Sequence, residues 1–160
     1  MRKLLALGAV FFVLLAACKK DKTPPYDFDG NLKADTLKIL AYIKEKNITD
    51  VKRDTTGVYY KIIEPGNGVD SVYQTSKVKA DYKLSLLDGT VVEESKPTDP
   101  LEFYLRGVIV GWRIGLPKIT KGGTIQLFIP SPWGYQNEAS AKIPANSVLI
   151  FNVKVRDVNY

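Results

Sequence analysis

The stretch KVKADYKLSLLDGTVVEES, residues 77–95, decides the fold class predicted for this chain. From Lys77 to Leu86, polar and apolar side chains alternate strictly, with the apolar ones at the even-numbered positions. A period of two is typical of a strand that turns one face to a core and the other to water. Asp88 and Gly89 follow as a strong turn signal. The stretch therefore predicts a half-buried antiparallel strand that ends in a tight turn.

The same period of two recurs on both sides of this stretch and is interrupted by one segment of different character. Strands are predicted in GVYYKIIEPGNG (57–68), LEFYL (101–105), GGTIQLFIP (122–130) and NSVLIFNVKVRDV (146–158). The segment VIVGWRIGLPKI (108–119) is predicted as one short helix that ends near Gly115 and Pro117. Strands, a helix and further strands indicate an α+β domain in which an antiparallel sheet covers a helix.

Within the predicted helix, the bulkiest side chain stands beside residues that have almost none. Trp112 follows Gly111 directly, and Gly115 is close behind. Two explanations are open: Trp112 fills the core, or it forms the floor of a pocket against which a ligand packs.

A second helix is predicted before the sheet, at about residues 36–46, with Asp35 or Thr36 as its cap. Its small apolar stripe lies close to helical spacing. We expect this helix to dock on the domain or on a second copy of the chain, as a homodimer. Residues 36–56 are interpreted as a helical N-terminal extension, and residues 18–35, which are polar and contain Pro24-Pro25, as a lipidated flexible tether.

Residues 1–17 are predicted to be a lipoprotein signal peptide. Arg2 and Lys3 precede an apolar run of 12 residues, too short to cross a bilayer comfortably. The run ends in Leu-Ala-Ala-Cys, which resembles the bacterial lipobox, so Cys18 is expected to carry a diacylglycerol. Lys19 after the Cys implies lipid anchoring to the outer membrane, in the cell envelope at the periplasmic face. The alternative is an ordinary signal peptide with an incidental Cys18.

Composition excludes several kinds of chemistry. The chain has no His, which excludes Ser-His-Asp and Cys-His catalysis and His-liganded zinc. Cys18 is its one cysteine, so it has neither a disulfide framework nor a Cys-based metal site. Without residues 1–17 the chain has 21 basic and 17 acidic residues, and this formal side-chain charge of +4 is mild and scattered. We do not expect nucleic acid as a partner of an exported lipoprotein. We expect no metal and no cofactor.

From Gly57 to Tyr160 the chain resembles an FKBP-type peptidyl-prolyl cis–trans isomerase, over about two thirds of its length. Three pieces carry the resemblance in the family's order: ADYKLSLLDGTVVEES, PLEFYLRGVIVGWRIGLPKITKGG and LFIPSPWGYQNEASAKIPANSVLIFNVKV. The resemblance implies residues 57–160 as an isomerase domain, an antiparallel sheet of five to six strands curled around one short helix. It also implies X-Pro-containing polypeptides as substrates.

The resemblance assigns site residues position by position. It implies catalytic roles for Tyr135, Tyr82, Trp112 and Glu93, with Trp112 as the pocket floor. It implies substrate-binding roles for Val92, Leu101, Phe103, Val108, Ile109, Ile143 and Phe151. The chain departs from the family where Val92-Glu93 replaces Phe-Asp, Leu101 replaces a wall Phe, and Gln136 replaces the Gly after the loop Tyr. The segment between Leu105 and Val108 is about two residues shorter.

Three functions follow from this sequence. The first is a prolyl isomerase that speeds the folding of exported proteins by binding the twisted amide without covalent chemistry. The second is a non-catalytic relative that holds Pro-containing segments in the same pocket, and Val92 and Leu101 favour it. The third is a structural lipoprotein that assembles through the helix at residues 36–46.

Overall fold

The computed structural model describes residues 25–159. In this range the chain forms two helices and seven strands. The helices are α1 (Phe28–Glu45) and α2 (Val110–Gly115). The strands are β1 (Lys52–Arg53), β2 (Tyr59–Glu64), β3 (Lys77–Ser85), β4 (Val91–Glu94), β5 (Leu101–Tyr104), β6 (Thr124–Ile129) and β7 (Leu149–Asn159). Single 3₁₀ turns occur at Leu105–Gly107, Leu116–Lys118 and Ser131–Trp133.

All seven strands belong to one antiparallel sheet. Its order is β1-β2-β6-β7-β3-β4, and β5 also pairs with β3. Strand β3 therefore has two partners along one edge: β5 pairs with its first half and β4 with its end. The other edge of β3 pairs with β7 over nearly its whole length. The α+β fold predicted from the alternation is confirmed.

The two helices pack on opposite faces of this sheet. Adjacent residues of a strand point to opposite faces. In β6, Leu127 belongs to the main core cluster with Trp112 of α2, whereas Phe128 belongs to a second cluster with Ile39 of α1. The ring of Tyr42 lies 6.2 Å from that of Phe128. Helix α1 is therefore docked on the face of the sheet opposite to α2.

Three details of the predicted architecture are corrected. The sheet has seven strands rather than five or six, because the two-residue β1 adds an edge and both β4 and β5 pair with β3. Helix α1 begins at Phe28 rather than 36, so residues 28–35 are not a flexible tether. The Gly30 N–H donates to Asp27 Oδ1 at 2.9 Å, which caps the helix eight residues earlier than predicted. The extension at 36–56 is helical only as far as Glu45.

The predicted signal peptide, Cys18 and the start of the tether lie outside the described residues. Within residues 25–159, neither helix has both the length and the apolar character needed to span a bilayer.

A partly buried ion pair connects the turn between β1 and β2 to the 3₁₀ turn that follows α2. Asp54 Oδ2 lies 2.6 Å from Lys118 Nζ, and Asp54 Oδ1 accepts the Thr56 N–H at 3.0 Å. The hydrogen bond from Lys118, followed by that from the Thr56 N–H, lowers the pKa of Asp54 from 3.8 to about 2. The folded state therefore favours the ionised carboxylate.

We expect Asp54→Asn to lower the free energy of unfolding by about 1–2 kcal/mol at pH 7, after discounting the pKa shift for the partial exposure of the pair. Because the pKa of Asp54 is lowered on folding, this stabilisation is present above about pH 4. It is lost as the pH falls toward 2. Urea unfolding of both proteins at a series of pH values measures it, with Asp29→Asn on the exposed side of α1 as control. A difference that stays constant down to pH 2 would contradict the assignment.

Candidate active site

The position of Trp112 is set by the two glycines of α2. A Cβ on Gly111 would lie 2.4 Å from Ile129 Cγ2, and one on Gly115 would lie 2.5 Å from Leu127 Cδ2. Without these side chains, the helix backbone lies directly on β6. This close approach explains why small residues surround the Trp: α2 is pressed against the sheet on its glycine face.

The Trp112 ring is enclosed by three other aromatic rings. The ring centroids of Phe151, Phe103 and Tyr82 lie 5.1, 5.2 and 5.6 Å from that of Trp112, and all three pairs meet edge to face. These are favourable arrangements for aromatic pairs. Trp112 is only 3% exposed. The ring is therefore held in one orientation by β3, β5 and β7 together.

An open cavity of about 290 Å³ lies above this ring. It is lined by Tyr82, Leu84, Glu93, Leu101, Gly107, Val108, Ile109, Trp112, Tyr135 and Phe151. Both explanations of Trp112 are thus correct in part, because the residue is core-packed at its edges and also lines a pocket. Most of the lining is apolar, and three side chains bring polar groups: Tyr82, Glu93 and Tyr135.

The polar groups of the pocket interact with one another. Tyr82 and Glu93 line the same cavity. Burial of Tyr82, followed by the interaction of its hydroxyl with the Glu93 carboxylate, raises the pKa of Tyr82 above its usual range. Burial and the same charge also raise the pKa of Tyr135. Both phenols therefore keep their protons at neutral pH, and the Tyr135 O–H is available as a hydrogen-bond donor.

The strand that supplies Glu93 contains an irregularity next to it. Leu84 pairs with Glu93, but the next residue of β3, Ser85, pairs with Val91, so the register shifts at Val92. A bulge of this kind re-aims side chains. Val92 is buried in the main core cluster, whereas its neighbour Glu93 lines the pocket.

Eight of the eleven site residues predicted from the resemblance line this one cavity: Tyr82, Glu93, Leu101, Val108, Ile109, Trp112, Tyr135 and Phe151. Val92, Phe103 and Ile143 do not. Phe103 supports the Trp112 ring from the side, and Val92 is a core residue. Ile143 lines a neighbouring cavity that it shares with Tyr135. The catalytic and binding roles of all eleven residues remain predictions.

Two lining residues were not predicted. Leu84 lies two positions after Tyr82 in β3, and the strict alternation that places both on one face was a sufficient signal for it. Gly107 closes the 3₁₀ turn before Val108. Gly107 has no side chain that could indicate a role in the sequence. Its position in the pocket wall follows from the path of the short segment between Leu105 and Val108.

The replacement of Gly by Gln136 has a structural counterpart. Gln136 has a φ of 54°, in the left-handed region that glycine adopts without cost. Two backbone hydrogen bonds hold it there: its N–H donates to Ser131 O at 2.9 Å, and its carbonyl accepts from the Asn146 N–H at 2.8 Å. The turn that carries Tyr135 thus keeps the geometry that a glycine would favour.

Residues 25–159 contain no group of three or more His, Cys, Asp or Glu side chains placed to hold a metal ion.

The fold and this pocket define a class of protein. Residues 69–156, more than half of the chain, match the family described as FKBP-type peptidyl-prolyl cis–trans isomerase. The chain belongs to this family. A probable FKBP-type peptidyl-prolyl cis–trans isomerase of Haemophilus influenzae is 45% identical over 112 residues, which are 69% of this chain and 46% of that protein. The isomerase FkpA of Escherichia coli K12 is 40% identical over 118 residues, 73% of this chain and 42% of that protein.

Solved structures give the same result. The crystal structure of FkpA from Escherichia coli has a TM-score of 0.70 at 34% identity, over 82% of this chain and 64% of that one. A peptidyl-prolyl cis–trans isomerase from Pseudomonas syringae has a TM-score of 0.68 at 28% identity, over 82% of this chain and 96% of that one. The chain spans about half the length of the curated relatives it matches.

Proposed function

We propose that this protein catalyses the cis–trans isomerisation of X-Pro bonds in polypeptides. The observation that carries the proposal is the pocket above Trp112, which combines an apolar floor with protonated tyrosine hydroxyls at its wall. Its ten lining residues, all within the described part of the chain, include no Ser, Cys, His or Lys. This reaction requires none of them, because no bond is made or broken.

The physical task suits such a pocket. Rotation about a peptide bond has a barrier of ~18–20 kcal/mol, and uncatalysed X-Pro isomerisation takes roughly tens to hundreds of seconds. The planar amide is more charge-separated than the twisted one, so an apolar pocket disfavours the planar form relative to the twisted one. Binding the twisted amide more tightly than the planar one is catalysis by differential binding. A difference of ~4 kcal/mol gives about a thousandfold acceleration.

Each part of the pocket has a role in this mechanism. The face of Trp112, with Phe151 and Leu84 beside it, receives the proline ring. The hydroxyl of Tyr135 is proposed to donate a hydrogen bond to the substrate carbonyl. Glu93, whose charge acts on the Tyr82 hydroxyl, is proposed to hold that phenol in the wall.

The test is the cis-to-trans isomerisation of a short peptide with one X-Pro bond, using the full chain in mild detergent. We expect the parent protein to accelerate it and Tyr135→Phe to lower kcat/KM by about fivefold, since one neutral hydrogen bond contributes about 1 kcal/mol. Tyr73→Phe, at an exposed tyrosine that does not line the pocket, serves as the matched control. A folded parent that gives no acceleration would refute the proposal, and the pocket would then be tested for binding of Pro-containing peptides.

We also propose that Cys18 is lipidated and that the domain acts at the periplasmic face of the outer membrane. The lipobox-like sequence and Lys19 support this. Cys18 precedes the cap residue Asp27 by nine positions, which span at most about 30 Å. A chain anchored in this way would work on polypeptides close to the membrane surface. The intact mass of the protein isolated from membranes tests the proposal, with Cys18→Ser as control, and a mass without acyl groups would exclude it.

A second copy of the chain is a further proposed partner, at the outer side of α1. Leu37 and Leu40 lie one turn apart there and are 64% and 46% exposed, while Ile39 faces the sheet. Sedimentation of the full chain, beside a Leu37→Gln/Leu40→Gln variant, tests this. A parent that sediments as a monomer would rule it out.

A further inference from the structure

Asp35 is the one charged residue that is fully buried in the described range 25–159. It lies on α1, outside the sheet and its pocket. Its Oδ2 atom accepts two hydrogen bonds from Ser131, from the N–H at 2.8 Å and from the Oγ–H at 2.6 Å. Its Oδ1 atom accepts one from Lys38 Nζ at 2.8 Å. A carboxylate removed from water needs such partners, and here two of its three hydrogen bonds go to a single residue.

Ser131 in turn holds the loop segment that carries Tyr135. It is the first residue of the 3₁₀ turn after β6. Its carbonyl accepts the Gly134 N–H at 3.0 Å and the Gln136 N–H at 2.9 Å. Gly134 and Gln136 are the residues on either side of Tyr135. Asp35 therefore holds the donor groups of Ser131, and the Ser131 carbonyl holds both neighbours of Tyr135.

Further contacts brace the same turn from the side of α1. The Phe28 and Trp133 rings meet edge to face at 4.9 Å. The Trp133 indole N–H donates to Thr56 O at 2.9 Å, in the turn that Asp54 caps. The Tyr26 hydroxyl lies 3.2 Å from Ser131 Oγ. All three contacts involve residues that precede β2.

The turn has reason to need this support. Tyr135 itself is 41% exposed, so few core contacts fix its place at the pocket wall. Gln136 beside it adopts a left-handed conformation that a non-glycine residue enters only at an energetic cost. Such a conformation persists only when its surroundings impose it.

We infer that Asp35 is a positioning residue for the proposed active site: through Ser131 it holds the turn that places the Tyr135 hydroxyl at the pocket wall. Helix α1 then supports the wall of the pocket, in addition to connecting the sheet to the N-terminal residues. The effect on catalysis rests on the proposed function, whereas the effect on the turn does not.

Amide hydrogen exchange tests the turn directly, by NMR on the full chain in detergent micelles. In Asp35→Ala we expect the exchange rates of the Gly134 and Gln136 amides to rise at least tenfold, while the Leu84 amide in β3 keeps its rate. Asp29→Ala, at an exposed acid on the same helix, is the matched control and should leave all three rates unchanged. Should Asp35→Ala fail to fold, Ser131→Ala removes the Oγ–H bond to Asp35 and the contact with the Tyr26 hydroxyl but keeps the Ser131 N–H bond to Asp35, and it should give a smaller change at the same two amides. Unchanged exchange at both amides would overturn the inference.

The consequence for catalysis is tested by a double-mutant cycle with Tyr135→Phe. Asp35→Ala should lower kcat/KM about fivefold in the parent but less than twofold in Tyr135→Phe, because the hydroxyl that it misplaces is already absent. Equal losses in both backgrounds would show that Asp35 does not act through Tyr135, and the inference would fail while the isomerase proposal stands. A parent without activity would refute the proposed function instead, and the exchange rates would then decide the inference alone.

Discussion

Gly111→Ala should destabilise the protein by about 2 kcal/mol, although alanine is the better helix former. Within a helix, the replacement of Gly by Ala normally gains about 1 kcal/mol. Here the new Cβ would lie 2.4, 2.5 and 2.8 Å from Cγ2, Cδ1 and Cγ1 of Ile129, a fully buried residue of β6. Cγ1 and Cγ2 branch at the Cβ of Ile129 and cannot both swing away, so the helix or the strand must move. Overpacking of this kind costs about 1–3 kcal/mol and occasionally more, which exceeds the gain in propensity.

Urea unfolding of the two proteins measures this difference, and two further variants sharpen it. Gly107→Ala is the matched control, because a Cβ at Gly107 would meet nothing within 4 Å, and we expect its effect on stability to stay within about 0.5 kcal/mol. In an Ile129→Ala background, all three clashing atoms are gone. Gly111→Ala should then become stabilising. If its sign does not reverse there, contact with Ile129 is not the reason for the glycine.

How far the fold could be predicted from the sequence is shown by two strands. β3 was predicted correctly because its alternation is unbroken from Lys77 and one of its faces packs on the core. For β6 the sequence indicated one buried face, that of Ile125, Leu127 and Ile129. The structure also buries Phe128 on the other face, because α1 covers it. The alternation of polar and apolar residues in a strand does not predict that a helix covers the second face of the sheet.

The start of α1 was missed for a related reason. Residues 19–35 are polar in composition and contain Pro24-Pro25, which is typical of a tether. The first turns of the helix are nevertheless tied down by contacts far along the chain, from Phe28 to Trp133 and from Asp35 to Ser131. Such long-range pairs cannot be derived from local spacing. The same holds for Asp35, which the sequence indicated only as a helix cap.

For the site, the alternation of polar and apolar residues and the family resemblance predict different lining residues of the pocket. Eight of the residues that the resemblance named, Trp112 and Tyr135 among them, line one cavity. The resemblance also named Val92, which lies at a shift in strand register and is buried, and no pattern in the sequence predicts that shift. Alternation alone would have added Leu84. The Gln in place of a Gly at 136 was visible in the sequence, but the hydrogen bonds that hold its positive φ come from residues 131 and 146.

The largest effect on activity is expected for Trp112→Leu, which should lower kcat/KM for an X-Pro peptide by about a hundredfold. The substitution removes the flat floor on which the proline ring would rest and leaves space among Tyr82, Phe103 and Phe151. The Trp112 indole N–H is buried without an acceptor in the described residues. Leu therefore forfeits no hydrogen bond, and the loss reports shape and apolar contact. A hundredfold corresponds to ~2.7 kcal/mol, in the range found when a buried Trp at the centre of a binding interface is truncated.

The control for this prediction must separate the pocket floor from core packing, because a large-to-small change at a buried ring also lowers stability by a few kcal/mol. Phe103→Leu meets that need: Phe103 packs on Trp112 at 5.2 Å but does not line the cavity. We expect it to lower stability as well, yet to reduce kcat/KM by less than about fivefold. Both variants are assayed well below their unfolding midpoints. Comparable losses in the two would assign Trp112 to the core and leave the floor of the pocket to another side chain. Retention of activity by Trp112→Leu would contradict the role proposed for this ring, and the proline ring would then be assigned to Phe151 or Tyr82, which line the same cavity.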